Sequence, residues 1–576
     1  MTSGLSRRRF IEIAGRAGTA LLAMPGLAWA QERALAIHEA THNTLLGAVG
    51  VRLRQLFGGR PQPYKCYPGA ERTRLPEAES GPARSLVSAL DARRSERPME
   101  RPMAGPGQAE PKDEPRVGTD LETNPTEGSI TLARLTRVLE AANGVTGRGP
   151  GGIRLRAAPS AGALYAGELY VVAESVEGLA TGLYYYSPLS RELVLLREGS
   201  HRSTVAAALE APARTAGVAA VVLVTSVFPR YRWRYANRGY RYGLIDVGHV
   251  SENLRLATTS AGMAVSSQRR FHDDRLNTLL DIDGLDEAAC AVHLLGGPEG
   301  SASKAPRTRD LVEATAAGLG LPPAADDPPD HYHARTKLVP AAAAVAGSAE
   351  PGRREGESGA KDASESERDD GGSPGERERE SVEGGSVMTL APREDPGAAV
   401  EQLIRHRRSA RRFAPDPIAR ADLAFVLDAA LGREEGKEAH LELLVFIHRG
   451  VDLESGLHRV RRGATGAPEL VREQAGDLSD RLVEACLGQE KAGAAAAAIA
   501  MVGAIESAAE TGGDRSYRDL CLGAGAVGQR IYLAAESVGI AARNLSAFVD
   551  ERLNALSGLD GRRKAVLHLT MLGPGD

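Results

Sequence analysis

The sequence predicts an α+β protein made of two related halves, each a layered unit of sheet and helix. Three observations carry that expectation. Apolar runs of strand length are interspersed with runs of helical period. A set of features recurs in the second half at a constant distance from the first. A stretch nearly free of large aliphatic residues separates the two.

Strands are expected at Glu168–Ala173, Gly182–Tyr186, Val218–Thr225 and Ala291–Leu295, and again at Leu441–His448, Ala495–Val502 and Ala565–Met571. The apolar run from Ala494 to Val502 is too short to span a membrane. Helices are expected at Leu132–Leu139 and Leu423–Leu431. A longer one shows in Val247, Val250, Leu254, Ala257 and Ala261, spaced by threes and fours. Ala524, Val527, Ile531, Ala534 and Val538 repeat that spacing, and Gly262 and Gly539 stand where a helix C-terminal glycine belongs.

The repeat is explicit. Arg93-Arg94-Ser95-Glu96-Arg97 returns as Arg407-Arg408-Ser409-Ala410-Arg411, an offset of 314. Tyr240 and Tyr517, Gly262 and Gly539, Phe271 and Phe548, and Asp283-Gly284 and Asp560-Gly561 all differ by 277. The second copy therefore lacks about 37 residues somewhere in its middle.

A length of 576 residues suits two to four domains. With 71 Lys and Arg against 75 Asp and Glu, nothing basic points to nucleic acid. The four cysteines, Cys66, Cys290, Cys486 and Cys521, form no paired motif, which argues against a disulfide framework or a cysteine metal site. Residues 1–30 read as a twin-arginine signal: Ser6-Arg7-Arg8-Arg9-Phe10-Ile11, a mildly apolar run from Ala17 to Leu27, then the cleavage pattern Ala28-Trp29-Ala30. The expected partner there is the twin-arginine export machinery, and the expected location is the periplasm or another extracytoplasmic space. Between Ser348 and Ser386 the only large aliphatic residue is Val382, a composition expected to be disordered. The expected division is a signal at 1–30, a lead-in at 31–83, a first domain at 84–320, a linker at 321–393 and a second domain at 394–576.

Three motifs carry chemistry. His38, Glu39 and His42 spell H-E-x-x-H, which on a helix puts two imidazoles on one face, as in zinc peptidases. No third ligand stands out downstream, and no metal is expected. The R-R-S-x-R segments concentrate guanidinium groups and a hydroxyl, a donor set suited to a terminal phosphate. Pro159-Ser160-Ala161-Gly162 makes a tight turn whose backbone can approach a flat ligand.

RRSxR, RAAPSAGALYAGELYVV, GLYYYSP and RYANRGYRYGLIDVGHVSENLRLATTSAGM together resemble the SagB-type dehydrogenases of the FMN-dependent nitroreductase superfamily. In that family a His-Glu-x-Thr-Lys-His segment and a Tyr-Lys-x-Tyr-Pro segment lead into the domain. Here they correspond to IHEATHN and Tyr64-Lys65-Cys66-Tyr67-Pro68, so HEATH is expected to be a lead-in helix. The resemblance implies two nitroreductase-like FMN-binding α/β/α domains forming an intramolecular pseudo-dimer. It implies that FMN lies in the seam, the phosphate on the R-x-S-x-R residues of one half and the ring on the P-S-x-G loop of the other. The implied cofactor residues are Arg93, Arg94, Ser95, Arg97, Pro159, Ser160, Ala161, Gly162, Arg407, Arg408, Ser409 and Arg411.

The second half carries no P-S-A-G stretch near Leu441–Phe446. One FMN per chain is therefore expected, with two as the alternative. The azoline-oxidising branch of the family uses a Lys-Tyr pair where this chain has Arg234-Tyr235, the implied catalytic residues. A guanidinium does not act as a base, so Arg234 is expected to orient a substrate or to stabilise an anionic reduced flavin. Tyr231, Tyr235, Tyr240 and Tyr242 read equally as a packed aromatic edge. Asp246 and His249 follow the family's pattern, His249 in a structural role. The expected function is an exported FMN-dependent oxidoreductase moving a hydride between a small-molecule or peptide substrate and flavin. Azoline dehydrogenation of ribosomal peptides and flavin binding without turnover are the alternatives.

Overall fold

The structure, a computed structural model, describes residues 37–42, 61–78, 83–91, 130–209, 215, 217–296, 311–313, 338–340, 387–432 and 440–575. The signal segment and Arg93, Arg94, Ser95 and Arg97 lie outside the described residues.

Each half holds a seven-stranded, wholly antiparallel sheet. The first comprises β1 (Arg72–Arg74), β2 (Gly167–Ala173), β3 (Gly182–Ser187), β4 (Glu192–Glu198), β5 (Ala220–Val227), β6 (Val265–Gln268) and β7 (Glu287–Leu295). The second comprises β8 (Val387–Thr389), β9 (Leu441–Ile447), β10 (Gly456–Arg462), β11 (Pro468–Ala475), β12 (Ala497–Ala504), β13 (Ala541–Leu545) and β14 (Lys564–Gly573). The strand orders are β1-β4-β3-β2-β5-β7-β6 and β8-β11-β10-β9-β12-β14-β13, one topology used twice. The sheets are buried on both faces. Along β2, Leu169, Val171 and Ala173 face a core shared by the two halves, while Tyr170 and Val172 face a core of the first half alone. Strand side chains alternate between faces, which is why one strand feeds both cores.

The helices follow the same duplication. They include α1 (Leu86–Asp91), α2 (Leu132–Asn143), α3 (Phe228–Tyr235), α4 (Arg238–Ser260) and α5 (Asp273–Leu280), then α6 (Val400–His406), α7 (Arg420–Leu431), α8 (Ile505–Gly512), α9 (Arg515–Ser537) and α10 (Asp550–Leu556); further ones lie at Arg202–Ala208, Ser479–Ala485 and Lys491–Ala494. Helices α4 and α9 are 23 residues each and start 277 apart. Both start nine residues before the apolar spacing reveals them, because Arg238–Asp246 and Arg515–Gly523 are rich in Arg, Tyr and Gly. Gly262 and Gly539 have φ of 72° and 75° and close the helices as expected.

The two halves clasp through α4 and α9, which are buried along nearly their whole length. They cross at Gly248 and Gly525, which are each other's counterparts. A Cβ on either would collide with a carbonyl of the facing helix, Leu522 for Gly248 and Ile245 for Gly525. Ser85 and Ala399, counterparts at offset 314, pair with each other in an antiparallel bridge. Self-pairing of equivalent residues is the mark of a two-fold relation, so this pseudo-axis runs through both contacts. On either side of it lie buried ion pairs: Arg238 and Arg241 on Asp550, and Arg515 and Arg518 on Asp273.

The structure also locates the missing residues. The offset is 314 between α1 and α6, 288 between α2 and α7, 274 between β2 and β9, and 277 from β5 onward. The two losses fall before and after one helix. After it, the first half runs through residues 144–166 to its central strand, 23 residues, and the second through residues 432–440, only 9.

Two expected boundaries move. The lead-in contributes an edge strand, β1, hydrogen-bonded to β4. The span expected as linker, 321–393, includes β8, which pairs with β11, and Leu338–Pro340, which pairs with Leu311–Glu313. Such three-residue strands are too short for an alternating pattern to register in sequence. No described helix is long and apolar enough to cross a membrane.

Candidate functional site

The long connection in the first half (residues 144–166) is where the second half reaches across. It opens with a small hairpin, Val145–Arg148 against Arg154–Arg156, and then turns through Pro159–Gly162. Gly162 has a φ of 64°, and the non-glycine residues Ala163 and Tyr165 also have positive φ, 52° and 49°. Such backbone is held only where the surroundings over-determine it, and it clusters at ligand sites. Here Ser160 does part of the holding, because its Oγ accepts the Tyr165 N–H at 2.8 Å.

The second half lays residues 407–412 against this connection. Arg407 donates to the carbonyl oxygens of Ala157 (3.3 Å) and Arg156 (3.5 Å). Arg408 donates to the Thr146 carbonyl at 2.9 Å. Ser409 Oγ lies 2.7 Å from Tyr532 Oη, and Arg543 donates to the Ala410 carbonyl at 2.8 Å. The structure thus brings Arg407 and Arg408 across the seam onto the connection that carries the Pro159–Gly162 turn, while Ser409 bonds within its own half. Arg411 is exposed and makes no hydrogen bond or ion pair among the described residues.

This corner is strongly cationic. Arg407 is buried, and among the described residues it has no carboxylate partner. Burial pulls its affinity for the proton below the ordinary guanidinium value, with Arg408 adding to the effect. Lys491 is also held below its usual value, chiefly by the Arg543 charge. Tyr532, Tyr165 and Glu536 favour the charged form of Arg407 without outweighing burial, and a guanidinium so placed suits an anion. Thr146 Oγ1, beside the carbonyl that Arg408 holds, is a buried hydroxyl oxygen without a partner. These donors fit a phosphate-bearing group such as FMN.

Arg234 and Tyr235 end α3 directly against the loop. A Cβ at Gly162 would collide with the Tyr235 hydroxyl and come within 3.1 Å of Arg234 Nη1. The Arg234 guanidinium lies 5.6 Å from the Tyr235 ring centroid. Tyr235 packs edge-on against Tyr242 at 4.8 Å and beside Tyr231 at 6.4 Å. The tyrosines are therefore a packed cluster as well as the wall of the site. Burial raises the Tyr235 phenol above its ordinary range, so it stays protonated and serves as a donor. Tyr240 stands apart, packed on Phe228.

Two neighbours escaped the sequence reading as site residues. Asp246 accepts the Ala161 N–H at 3.2 Å and the Tyr231 hydroxyl. His249 lies on the second half's side of the seam, its Nε2 2.9 Å from Asn544 Nδ2. The internal repeat held a signal for Asp246, since its counterpart is Gly523 and that of Tyr231 is Ala508. The second half likewise places Thr511 and Gly512 opposite Arg234 and Tyr235.

The H-E-x-x-H residues sit elsewhere in the seam. His38 is buried, and its Nδ1 lies 3.0 Å from Arg241 Nη2. Burial and the Arg241 charge hold His38 well below its usual value; His42 is pushed down to about 4, chiefly by burial. Guanidinium groups beside both imidazoles would repel a dication as they repel a proton. The segment's helix is tied instead to the second half, Thr41 Oγ1 lying 2.9 Å from Tyr517 Oη.

Known proteins with the same pattern bear on this geometry. A candidate nitroreductase of Methanocaldococcus jannaschii is 34% identical over 156 residues, 27% of this chain and 75% of that protein. The crystal structure of a candidate nitroreductase from Anabaena variabilis is 24% identical. It aligns over 95% of this chain and 100% of its own with a TM-score of 0.69, so the fold is shared through both halves. The description of the nitroreductase family matches twice, over residues 126–297 and 404–573, together more than half of the sequence. The chain belongs to the nitroreductase family, with two of its domains in one polypeptide.

Proposed function

We propose that this protein is an exported FMN-dependent oxidoreductase of SagB-type ancestry, with one flavin site per chain. One observation carries the reading: the first half supplies the connection that holds the Pro159–Gly162 turn, and the second half's Arg407 and Arg408 bond to that connection from across the seam, with Ser409 next in sequence. Arg407 and Ser409 would hold the phosphate, and Arg408 clamps the segment that carries them. Bound FMN supplies hydride chemistry, while the chain supplies position and electrostatics. Tyr235, kept protonated by burial, donates a hydrogen bond or a proton at the loop. Arg234 offers a fixed positive charge to an anionic substrate or ring.

A second, equivalent site would need a loop in residues 432–440, and a 9-residue connection leaves no length for one alongside the route from helix to strand. The twin-arginine segment supports export. Outside the cytoplasm free NAD(P)H is not expected, so the donor is read as a substrate C–H bond and the acceptor as a quinone or oxygen. Azoline oxidation is the less favoured chemistry, because the Lys-Tyr pair of the azoline-oxidising branch is replaced here by Arg234-Tyr235.

The test is the visible spectrum of the purified chain. One equivalent of FMN per polypeptide, bleached by a reductant and restored by oxygen or a quinone, is the expected result. Two equivalents would remove the single-site reading. Absence of flavin, even after incubation with FMN, would remove the assignment, and a bound flavin that no donor or acceptor cycles would leave a binding protein.

A further inference from the structure

Behind the Pro159–Gly162 turn lies a carboxyl group that the flavin reading gives no chemical role. Asp246, on α4, is buried. It accepts the Ala161 N–H at 3.2 Å and the Tyr231 hydroxyl. Tyr231 Oη in turn lies 2.9 Å from Ser160 Oγ. Three side chains thus stand in series, running from the interior to the turn that faces the seam. We propose that Asp246, Tyr231 and Ser160 form a proton relay serving the group held against the turn, with Asp246 as its proton store. This rests on the flavin reading for the identity of that group, though the relay itself belongs to the chain.

The hydrogen count sets how the relay works. With Asp246 ionised, Tyr231 donates to Asp246 Oδ2 and Ser160 donates to Tyr231 Oη. Ser160 Oγ already accepts the Tyr165 N–H, and it presents its remaining lone pair to the seam. A proton arriving at Ser160 Oγ sends Ser160's own proton to Tyr231 Oη, and Tyr231's proton to Asp246 Oδ2. Ser160 and Tyr231 each gain one proton and pass one on, and the Asp246 carboxylate gains one and becomes neutral. Ser160 then donates toward the seam where before it accepted. The relay thus supplies the proton acceptor that Arg234 and Tyr235 cannot, as substrate oxidation requires.

The surroundings suit a store that fills and empties near neutrality. Burial lifts the Asp246 carboxyl to about 7, against the opposing hydrogen bonds from the Tyr231 hydroxyl and the Ala161 N–H. The groups that interact with it are Tyr231 and Tyr235 from α3 and Tyr165 from the connection, while Tyr242 and His249 stand four residues before and three after it on its own helix. Burial keeps the phenols of Tyr231, Tyr235 and Tyr165 protonated and His249 neutral. Arg234 stacks on the Tyr235 ring, and Arg407 of the second half stands near Tyr165. Neither forms an ion pair with Asp246. At the equivalent positions the second half has Gly523 and Ala508, so the relay exists once.

The experiment is an infrared titration of the flavin-free full chain from about pH 5 to about pH 9, a range that brackets neutrality for a lifted carboxyl. The wild-type protein should show a protonated-carboxyl band that disappears as pH rises through neutrality. Asp246→Asn should lack it. Tyr231→Phe, which removes a hydrogen bond to the carboxylate, should move its midpoint upward. In the flavin-loaded chain the bound-flavin spectrum should show a pH-dependent shift with the same midpoint, lost in Ser160→Ala. No difference between wild type and Asp246→Asn, or an unmoved midpoint in Tyr231→Phe, overturns the relay. A normal carboxyl titration in a protein that binds no FMN overturns the flavin assignment and leaves the relay standing.

Discussion

Asp273 and Asp550 hold counterpart positions, and each is gripped by the arginine pair of the opposite half. Arg518 Nη1 lies 2.8 Å from Asp273 Oδ1, and Arg241 Nη1 lies 2.8 Å from Asp550 Oδ1. All six side chains are buried. Removing one partner of a buried pair costs about 3–5 kcal/mol, since it strands the other charge. Asp273→Asn and Asp550→Asn should each lower stability by an amount in that range, read from denaturant midpoints. A loss at one site only would show that the seam is not symmetric in energy.

The crossing of α4 and α9 depends on Gly248 and Gly525 having no side chain. Gly248→Ala and Gly525→Ala each place a methyl on a facing carbonyl. Overpacking of this kind costs about 1–3 kcal/mol. Both variants should melt earlier than wild type. An unchanged melting temperature would show that the helices can part without loss.

Gly162→Ala combines a positive φ with a collision against the Tyr235 hydroxyl. It should weaken flavin retention and turnover, and Tyr235→Phe in the same chain should restore part of the retention. A double-mutant cycle reads the coupling, expected at about 0.5–3 kcal/mol for residues in contact. Zero coupling would place the phenol away from the turn.

Arg407→Ala should lower FMN content more than Arg411→Ala, because Arg407 is buried across the seam and Arg411 is exposed. The ratio of flavin absorbance to protein after gel filtration checks this. Equal losses would show that both cations hold the phosphate.

Acid should destabilise the chain through its buried histidines. His293 and His568 are pushed down to about 3 and His42 to about 4, in each case chiefly by burial. A folded-state value below the unfolded one of about 6.5 means the unfolded chain takes up the proton first. The stability these groups supply is full above about pH 6.5 and falls as pH drops toward 3–4, by up to about 1.4 kcal/mol per unit for each group. Asp246 works the other way: with its folded value raised to about 7, the stability it supplies is full below about pH 4 and is lost as pH rises from there to about 7. Because the histidines outnumber it, stability should fall from pH 7 to pH 5, and His293→Gln should flatten the slope. A rise over that interval would show that Asp246 dominates.

Much of this was legible because the chain states its plan twice. The spacing of Val247 to Ala261 and its echo at 277 gave both central helices, and the closing glycines fell where expected. The turn at Pro159–Gly162 and the second half's Arg407 and Ser409 could be named from motifs alone. Strands β4, β10 and β11 were not legible, because sequences such as Gly456–Arg462, GLHRVRR, mix charge into both faces of the strand. Asp246 was hard to see for a different reason. One of two carboxylates in a helix that also carries Arg, Tyr and His has no spacing signal, and its significance comes from a turn some 85 residues away in sequence. The pairs Arg238–Asp550 and Arg515–Asp273 share the 277 repeat, yet only contact between halves reveals what the repeated charges are for.

In a dimer of identical chains, one gene writes both sides of the seam, and trimming a loop would empty both clefts together. The 9-residue connection at residues 432–440 faces no such constraint. Joined to a lobe that keeps its own 23-residue version, the trimmed lobe can specialise as a brace for its partner's chemistry. Covalent linkage thereby turns a symmetric assembly into one with a working side and a supporting side.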